Sequence, residues 1–188
     1  MAKSSERPCA VCGEIDPNRF RIWFDAYLKL YKCRSCGFVA QYPGPGQPTI
    51  IQDYSDRYDL DFVSKGKKFK YPEREKVLQN IVDRIHALKP QGKLLDIGCG
   101  DGQFIHLASK SFECAGVEGS RILAEYAGKI TGAPVACGMF DGSLYPEASF
   151  DVISMIQVLE HIPNPAEVLK HVRNTLAPGG LLVVEVPS

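Results

Sequence analysis

Residues 94–104, with the sequence LLDIGCGDGQF, restrict the fold of this chain more than any other segment. An apolar run ends at Asp96 and Ile97 and leads into a turn that contains three glycines, Gly98, Gly100 and Gly102. Such a run predicts a strand followed by a tight turn, where the backbone can come close to a ligand. The segment therefore predicts a ligand-binding turn at the end of a strand.

Strand and helix patterns alternate from residue 93 onward. Predicted strands cover 93–97, 114–117, 134–137, 150–155 and 181–186, and predicted helices begin at 103, 121 and 165. This alternation is typical of a parallel, doubly wound sheet, so we predict an α/β Rossmann-like domain over residues 91–188. A further helix is predicted from Pro72, with one apolar face made of Val77, Leu78, Ile81, Val82, Ile85 and Leu88.

The glycine turn differs from the G-x-G-x-x-G pattern of dinucleotide-binding proteins, because residue 103 is a glutamine. Asp96 would repel a pyrophosphate but suits a cationic amino group, and Asp101 in the turn indicates the same. Glu118 ends the next strand, where a carboxylate can accept hydrogen bonds from both hydroxyls of a ribose. The predicted ligand has a ribose, a positive group and no phosphate at the turn. S-adenosylmethionine fits all three, whereas a nicotinamide cofactor is disfavoured.

Over about residues 72–188 the sequence also resembles the class I S-adenosylmethionine-dependent methyltransferases. LLDIGCGDG matches their first motif and GVEGS their acidic second motif, while SFDVISMIQVLEHIPNP and LAPGGLLVVEVP match the segments of their fourth and fifth strands. The family has seven strands, and this sequence stops directly after the fifth. We therefore expect the strand at 181–186 to be a bare or partner-covered sheet edge, through which a homodimer could form.

The resemblance implies a role for each matched position. Asp96 would orient the amino group of the cofactor through water, Glu118 would take the ribose hydroxyls, and Gln157 would lie near the sulfonium through its backbone. Met139, Phe140 and Asp141 would flank the adenine, although Met139 and Phe140 could instead pack in the core. The implied cofactor-binding residues are Asp96, Gly98, Cys99, Gly100, Gly102, Glu118, Gly119, Met139, Phe140, Asp141 and Gln157.

Methyl transfer needs an aligned nucleophile and, for some acceptors, a base. His161 follows the fourth predicted strand, at the edge where ligands bind in such sheets, and histidine titrates near neutral pH. It is our candidate base, although with Glu160 it could instead hold the loop or orient a substrate. The thiols of Cys99, Cys114 and Cys137 lie beside apolar strands, and we expect them to be buried and inert.

Two C-x2-C-G pairs stand near the start of the chain, with Cys9 and Cys12 in the first and Cys33 and Cys36 in the second. This spacing predicts a closed, structural Zn2+ site rather than two disulfides or a catalytic metal. Residues 19–33, rich in aromatic residues, predict two short strands between the pairs, so we expect a zinc ribbon over residues 1–45. The module resembles that of a methyltransferase subgroup that includes sugar C-methyltransferases acting on nucleotide-sugars.

Residues 46–90 are predicted to form a linker and a helical or lid region. It contains Tyr54 and Tyr58, which predict a packing stripe or a lid, and the basic run KGKKFK at 65–70, which predicts a mobile loop or a patch for an anionic substrate. Residues 1–90 hold 16 lysines and arginines against 11 acidic residues, and the chain as a whole has zero net charge. This balance disfavours nucleic acid as a partner.

The sequence thus predicts a methyltransferase for a small acceptor, such as a sugar, a nucleotide-sugar or a glycoconjugate precursor. An rRNA guanine methyltransferase with a zinc module and a non-catalytic interaction module are the alternatives. No run of about 18 apolar residues predicts a membrane span, and the first residues lack the apolar core of a secretory signal. We accordingly expect a cytoplasmic protein with no membrane partner.

Overall fold

The computed structural model describes residues 9, 11–14, 16, 19–24, 30–41, 63, 68–162 and 164–187. The predictions for Tyr54 and Tyr58, for the linker at 42–48 and for residues 65–67 of the basic run lie outside these residues. Three short strands form an antiparallel sheet near the start of the chain, in the order β1-β2-β3: β1 (Phe20–Phe24), β2 (Leu30–Cys33) and β3 (Val39–Gln41). The first two were predicted, whereas β3 has only three residues and gives no periodic signal.

The second sheet has five parallel strands in the order β6-β5-β4-β7-β8. The chain enters this sheet at its centre, builds outward to β6, and then returns to the other side of β4. The elements are a 3-10 turn (Pro72–Arg74), α1 (Glu75–Leu88), β4 (Lys93–Ile97), α2 (Gln103–Ala108), β5 (Glu113–Glu118), α3 (Arg121–Thr131), β6 (Val135–Cys137), β7 (Phe150–Ile156), a 3-10 turn (Leu159–His161), α4 (Pro165–Thr175) and β8 (Leu176–Glu185).

Two apolar cores cover the two faces of this sheet. Because side chains alternate along a strand, Leu94 of β4 faces one core and Leu95 faces the other. The first core contains buried residues of α1, α2 and α3, such as Val82 and Ile105, and the second contains Val172 of α4. This arrangement confirms the predicted doubly wound α/β fold.

The apolar face of α1 is narrower than the sequence predicts. Leu78, Val82 and Ile85 are buried, but Val77 is 49% exposed and Leu88 is 75% exposed. At about 100° per residue, these two positions lie roughly a quarter turn away from the buried stripe. The buried part of the predicted apolar face is therefore made of Leu78, Val82 and Ile85.

Strand β8 is an outer strand of the sheet. It begins at Leu176, earlier than predicted, and within the described part of the chain it pairs with β7 alone. The apolar side chains of Leu182 and Val184 are 39% and 40% exposed on this strand. The predicted open edge is thus present in the described residues. None of the described helices combines the length and the apolar character that a bilayer crossing requires.

Candidate functional site

The glycine turn lies at the carboxyl ends of β4 and β5, two neighbouring strands of the sheet. The backbone N–H groups of Gly98 and Cys99 both donate to the carbonyl oxygen of Val117, at 2.7 and 3.1 Å. A further bond runs from the N–H of Gly102 to the carbonyl oxygen of Cys99, at 3.0 Å. The turn is therefore fixed to β5 before any ligand binds.

The three glycines of the turn have different surroundings. All have positive φ, but a Cβ on Gly98 would lie 2.5 Å from Val158 Cγ2, and one on Gly102 would lie 2.9 Å from Thr131 Cγ2. Protein atoms therefore already fill the space beside these two glycines. Gly100, at φ 55°, has nothing within 4 Å of its Cβ position. Its face is the open side of the turn, where a ligand can approach the backbone.

Glu118 at the end of β5 holds the turn from the other side. One carboxylate oxygen accepts the N–H of Gly100 and the other accepts the N–H of Ser120, each at 2.8 Å. These bonds fix the orientation of the carboxylate. Each oxygen keeps a second lone pair, so both can still accept a hydroxyl, as the ribose prediction requires.

Asp96 is buried beneath the turn and is 2% exposed. The hydroxyl of Ser154 on β7 donates to its Oδ1 at 2.7 Å. Burial raises the pKa of Asp96 to about 7, and the nearby negative charge of Glu118 adds to the rise, while the bond from Ser154 opposes it. A carboxyl in this state can give up its proton when a cationic group arrives, which fits the predicted contact with an amino group.

Residues 68–74, which we call the strap, are bound to the site at several points. Tyr126 of α3 donates to the carbonyl oxygen of Lys68 at 2.9 Å. The carboxylate of Asp101 accepts the N–H groups of Lys70 and Gln103. Asp101 therefore binds the protein backbone. In this structure its carboxylate holds the strap and the start of α2, whereas the sequence predicted that it would face a cationic ligand.

The other end of the strap reaches the end of β8. Arg74 Nη2 lies 2.8 Å from Glu185 Oε2, and Gln157 Nε2 donates to Glu185 Oε1 at 3.0 Å. Gln157 has a positive φ of 57°, and its backbone N–H donates to the carbonyl oxygen of Glu185 at 2.8 Å. The sequence reasoning missed Arg74 and Glu185. An acidic residue near the end of the fifth predicted strand was the signal for Glu185.

The residues after β6 divide between surface and core. Met139 is 54% exposed, and its Sδ lies 3.8 Å from the Cβ position of Gly119, the residue after Glu118. Phe140 is buried in the second core. Asp141 Oδ1 accepts the N–H and the hydroxyl of Ser143, and these two bonds lower its pKa. Met139 is thus better placed than Phe140 to contact an adenine.

His161 lies in the 3-10 turn after β7, beyond Gln157. Its side chain is 62% exposed, and Nε2 lies 3.9 Å from Glu160 Oε1. The predicted position after the fourth strand of the fold is correct. Its role as a base stays a prediction.

The four predicted metal ligands form one cluster. Their sulfur atoms lie within 4.8 Å of one another, with Cys9 Sγ 3.6 Å from Cys36 Sγ and Cys12 Sγ 3.7 Å from Cys33 Sγ. Four sulfurs bound to one Zn2+ at about 2.3 Å stand about 3.8 Å apart, so the cluster has the dimensions of a zinc site. Gly13 and Gly37 follow the two pairs with φ values of 71° and 80°.

The remaining three thiols are not equivalent. Cys99 and Cys114 are buried as predicted, and burial raises the pKa of both, that of Cys114 to about 12. Cys99 Sγ fills the space over Gly116, 2.8 Å from its Cβ position. The prediction that Cys137 is buried was wrong. It is exposed because it ends β6, a short outer strand.

Comparison with known proteins agrees with this geometry. The family model described as a methyltransferase domain matches residues 71–188, which include the whole five-stranded sheet. The chain belongs to the class I S-adenosylmethionine-dependent methyltransferases. This membership confirms the resemblance based on the four motifs.

The chain is similar to several curated methyltransferases at low identity. It is 27% identical to 2-methyl-6-phytyl-1,4-hydroquinone methyltransferase of Synechocystis sp., over 66% of this chain and 44% of that protein. It is 31% identical to trans-aconitate 2-methyltransferase of Methylobacterium nodulans, over 62% and 46% of the two chains. The chain therefore spans about half the length of these curated relatives.

Among solved structures, the S-adenosylmethionine-bound amino pentose methyltransferase CalS10 of Micromonospora echinaspora is similar to this chain, with a TM-score of 0.53 and 25% identity. The match covers 72% of this chain and 58% of CalS10. In this chain, the open face of Gly100 and the carboxylates of Asp96 and Glu118 all lie at the carboxyl ends of the adjacent strands β4 and β5.

Proposed function

We propose that this chain binds S-adenosylmethionine and takes part in methyl transfer to a small acceptor, namely a sugar, a nucleotide-sugar or a glycoconjugate precursor. The observation that carries the proposal is Glu118, whose carboxylate is fixed by the N–H groups of Gly100 and Ser120 beside the open face of the turn. The likeness to an amino pentose methyltransferase supports the class of acceptor.

When bound, the cofactor supplies a methyl group on a positively charged sulfur. The chain's own residues would hold and orient it. Glu118 would accept the ribose hydroxyls, and Asp96 would face the ammonium group through water. Met139 and Gly119 would line the adenine, while Asp141 would be within reach of its edge. The carbonyl of Gln157 would face the sulfonium, because the N–H of Gln157 is already bound to Glu185.

Titration of the purified chain with S-adenosylhomocysteine in a calorimeter, beside NAD, tests the cofactor. We expect saturable binding of S-adenosylhomocysteine alone. Glu118→Ala should abolish it, whereas Glu125→Ala, a change of the same type on α3, should not. Binding of NAD, or binding that survives Glu118→Ala, would contradict the proposal. Binding without turnover of any acceptor would favour the non-catalytic alternative.

An acceptor screen with methyl-labelled S-adenosylmethionine tests the substrate class. We expect incorporation of label into sugars or nucleotide-sugars and none into ribosomal RNA.

Once an acceptor is known, His161→Ala tests whether His161 is the base that removes a proton from it. If His161 takes the proton, the variant should lose the acid limb of the pH profile of kcat while its affinity for S-adenosylhomocysteine stays unchanged. An unchanged profile would leave His161 with a structural role.

We also propose that Cys9, Cys12, Cys33 and Cys36 hold one structural Zn2+ ion. Two sulfur pairs at 3.6 and 3.7 Å support this proposal, together with the left-handed glycine after each pair. Four thiolates leave no open position, so the ion would stabilise the fold and take no part in the reaction. A module of this size has little apolar core, and the metal would replace it.

Metal analysis of the purified protein tests the zinc site. We expect one zinc per chain in the wild type and in Cys137→Ser, and much less in Cys36→Ser. A metal content that does not change in Cys36→Ser would contradict the site.

We further propose that the open edge of β8 forms a homodimer interface. Sedimentation over a range of protein concentrations tests this proposal, and a monomer at all concentrations would contradict it.

A further inference from the structure

The side-chain amide of Gln103 is a buried donor without a partner. Gln103 is 5% exposed, and its Nε2 is the one buried side-chain nitrogen or oxygen without a hydrogen-bond partner in the described part of the chain. An unsatisfied buried amide destabilises a folded protein, so its presence calls for an explanation. Gln103 directly follows Gly102 of the ligand-binding turn and is the first residue of α2.

The carboxylates beside the turn have other partners. Asp101 accepts the backbone N–H groups of Lys70 and Gln103, and Asp96 accepts the hydroxyl of Ser154. Glu118 accepts two further backbone N–H groups. None of these carboxylates accepts from Gln103 Nε2. Because no described residue accepts from Gln103 Nε2, a ligand bound at the turn can supply the acceptor.

The chemistry of the cofactor identifies this acceptor. The methionine end of S-adenosylmethionine carries an ammonium group, which only donates, and a carboxylate, which only accepts. Acidic side chains at the turn suit the ammonium group but repel the carboxylate. A carboxylate at this place needs a donor, and the amide of Gln103 is a buried one beside the turn.

We propose that Gln103 Nε2 donates a hydrogen bond to the carboxylate of the methionine part of S-adenosylmethionine. The inference rests on the proposed function, because it concerns the same cofactor. It adds a binding residue that neither the motifs nor the implied site residues include. It also explains why the amide is unsatisfied in the ligand-free chain.

If the inference is correct, the amide of Gln103 strengthens cofactor binding but lowers the stability of the free protein. Gln103→Leu removes the unsatisfied amide at nearly the same volume, so it should leave the melting temperature of the free protein unchanged or raise it. A purely structural glutamine, bound to an internal water, would instead give a lower melting temperature when replaced.

The test compares two ligands. The wild type, Gln103→Leu and Gln79→Leu are each titrated with S-adenosylhomocysteine and with 5′-methylthioadenosine, which lacks the amino-acid end. We expect Gln103→Leu to lose about tenfold or more in affinity for S-adenosylhomocysteine and to keep its affinity for 5′-methylthioadenosine. Gln79 is the matched control, since its amide donates to Asp83 on the outer face of α1, and both affinities should stay unchanged.

The outcomes separate this inference from the proposed function. A wild type that binds neither ligand would contradict the proposed function itself. A wild type that binds both, with an equal loss or no loss for the two ligands in Gln103→Leu, would overturn the inference alone. If Gln103→Leu does not fold, Gln103→Glu replaces it. The added negative charge should then weaken S-adenosylhomocysteine binding selectively, and an equal effect on both ligands would overturn the inference.

Discussion

Arg74 and Glu185, which lie 111 residues apart in the sequence, meet at 2.8 Å across the carboxyl edge of the sheet. Arg74 ends the strap and Glu185 ends β8, one of the two outer strands of the described sheet. Their side chains are 32% and 30% exposed, so the pair is partly shielded from solvent. The contact ties the segment before α1 to the far side of the site.

A double-mutant cycle with Arg74→Met and Glu185→Gln measures this pair. We expect a coupling of about 0.5–1 kcal/mol in the free energy of unfolding by urea, because the pair is close but only partly buried. The pair Lys93–Glu113 is the control. Its atoms are 4.0 Å apart and its side chains are 57% and 76% exposed, so its coupling should be near zero. Equal coupling energies for the two pairs would contradict the conclusion that Arg74 and Glu185 are shielded from solvent.

Alanine substitutions at Gly98 and Gly132 distinguish the effect of backbone strain on stability from the effect of a close contact. Both have φ near 70°, but the Cβ position of Gly132 has open space, whereas that of Gly98 lies 2.5 Å from Val158 Cγ2. Gly132→Ala should therefore lower the free energy of unfolding by about 1–2 kcal/mol through strain alone. Gly98→Ala should lower it by about 1–3 kcal/mol more, because it also overlaps a side chain.

Shortening the neighbour of Gly98 checks the source of that difference. In the Gly98→Ala background, Val158→Ala should cost less stability than it does in the wild type, because it relieves the overlap. Urea unfolding of the four proteins gives the comparison. Equal costs in both backgrounds would show that Val158 does not cause the overlap.

Asp96 should make the stability of the ligand-free protein depend on pH. Its pKa rises from 3.8 to about 7 on folding, so between these values the folded chain binds more protons than the unfolded chain. The free energy of unfolding should therefore fall as pH rises through this window, by at most about 1.4 kcal/mol per pH unit from this group. Asp96→Asn should remove this slope and keep an acceptor for Ser154. A slope that persists in Asp96→Asn would assign the effect to other groups.

The seven thiols should react with Ellman's reagent in three classes. In the zinc-loaded native protein, one thiol should react rapidly, because Cys137 is exposed while Cys99 and Cys114 are buried. A chelator should raise the count to five by releasing the four metal ligands, and denaturant should raise it to seven. Cys137→Ser should lose the rapid phase. A rapid phase that survives this change would have to come from the four proposed zinc ligands or from Cys99 and Cys114. It would therefore contradict the zinc site or the burial of those two thiols.

The sequence predicted the parts of the fold that local patterns determine. The apolar run before Gly98 and the alternation of strands and helices predicted the sheet and the turn, and both cysteine pairs formed one cluster. Contacts between distant segments were not predictable, because they depend on the strand order. The bond from the N–H of Lys70 to Asp101 and the pair Arg74–Glu185 are examples. The exposure of Cys137 likewise follows from the outer position of β6, which its own sequence does not reveal.

The packing of Cys99 against Gly116 has a consequence for the natural variation of this chain. The thiol occupies the volume that a side chain at position 116 would need, and Ile105 Cδ1 lies equally close, at 2.8 Å. Because the backbone of Gly116 is ordinary strand, only this volume excludes alanine there. Homologues with alanine at 116 should therefore carry a smaller residue at 99 or 105, so that these positions exchange volume and co-vary through evolution.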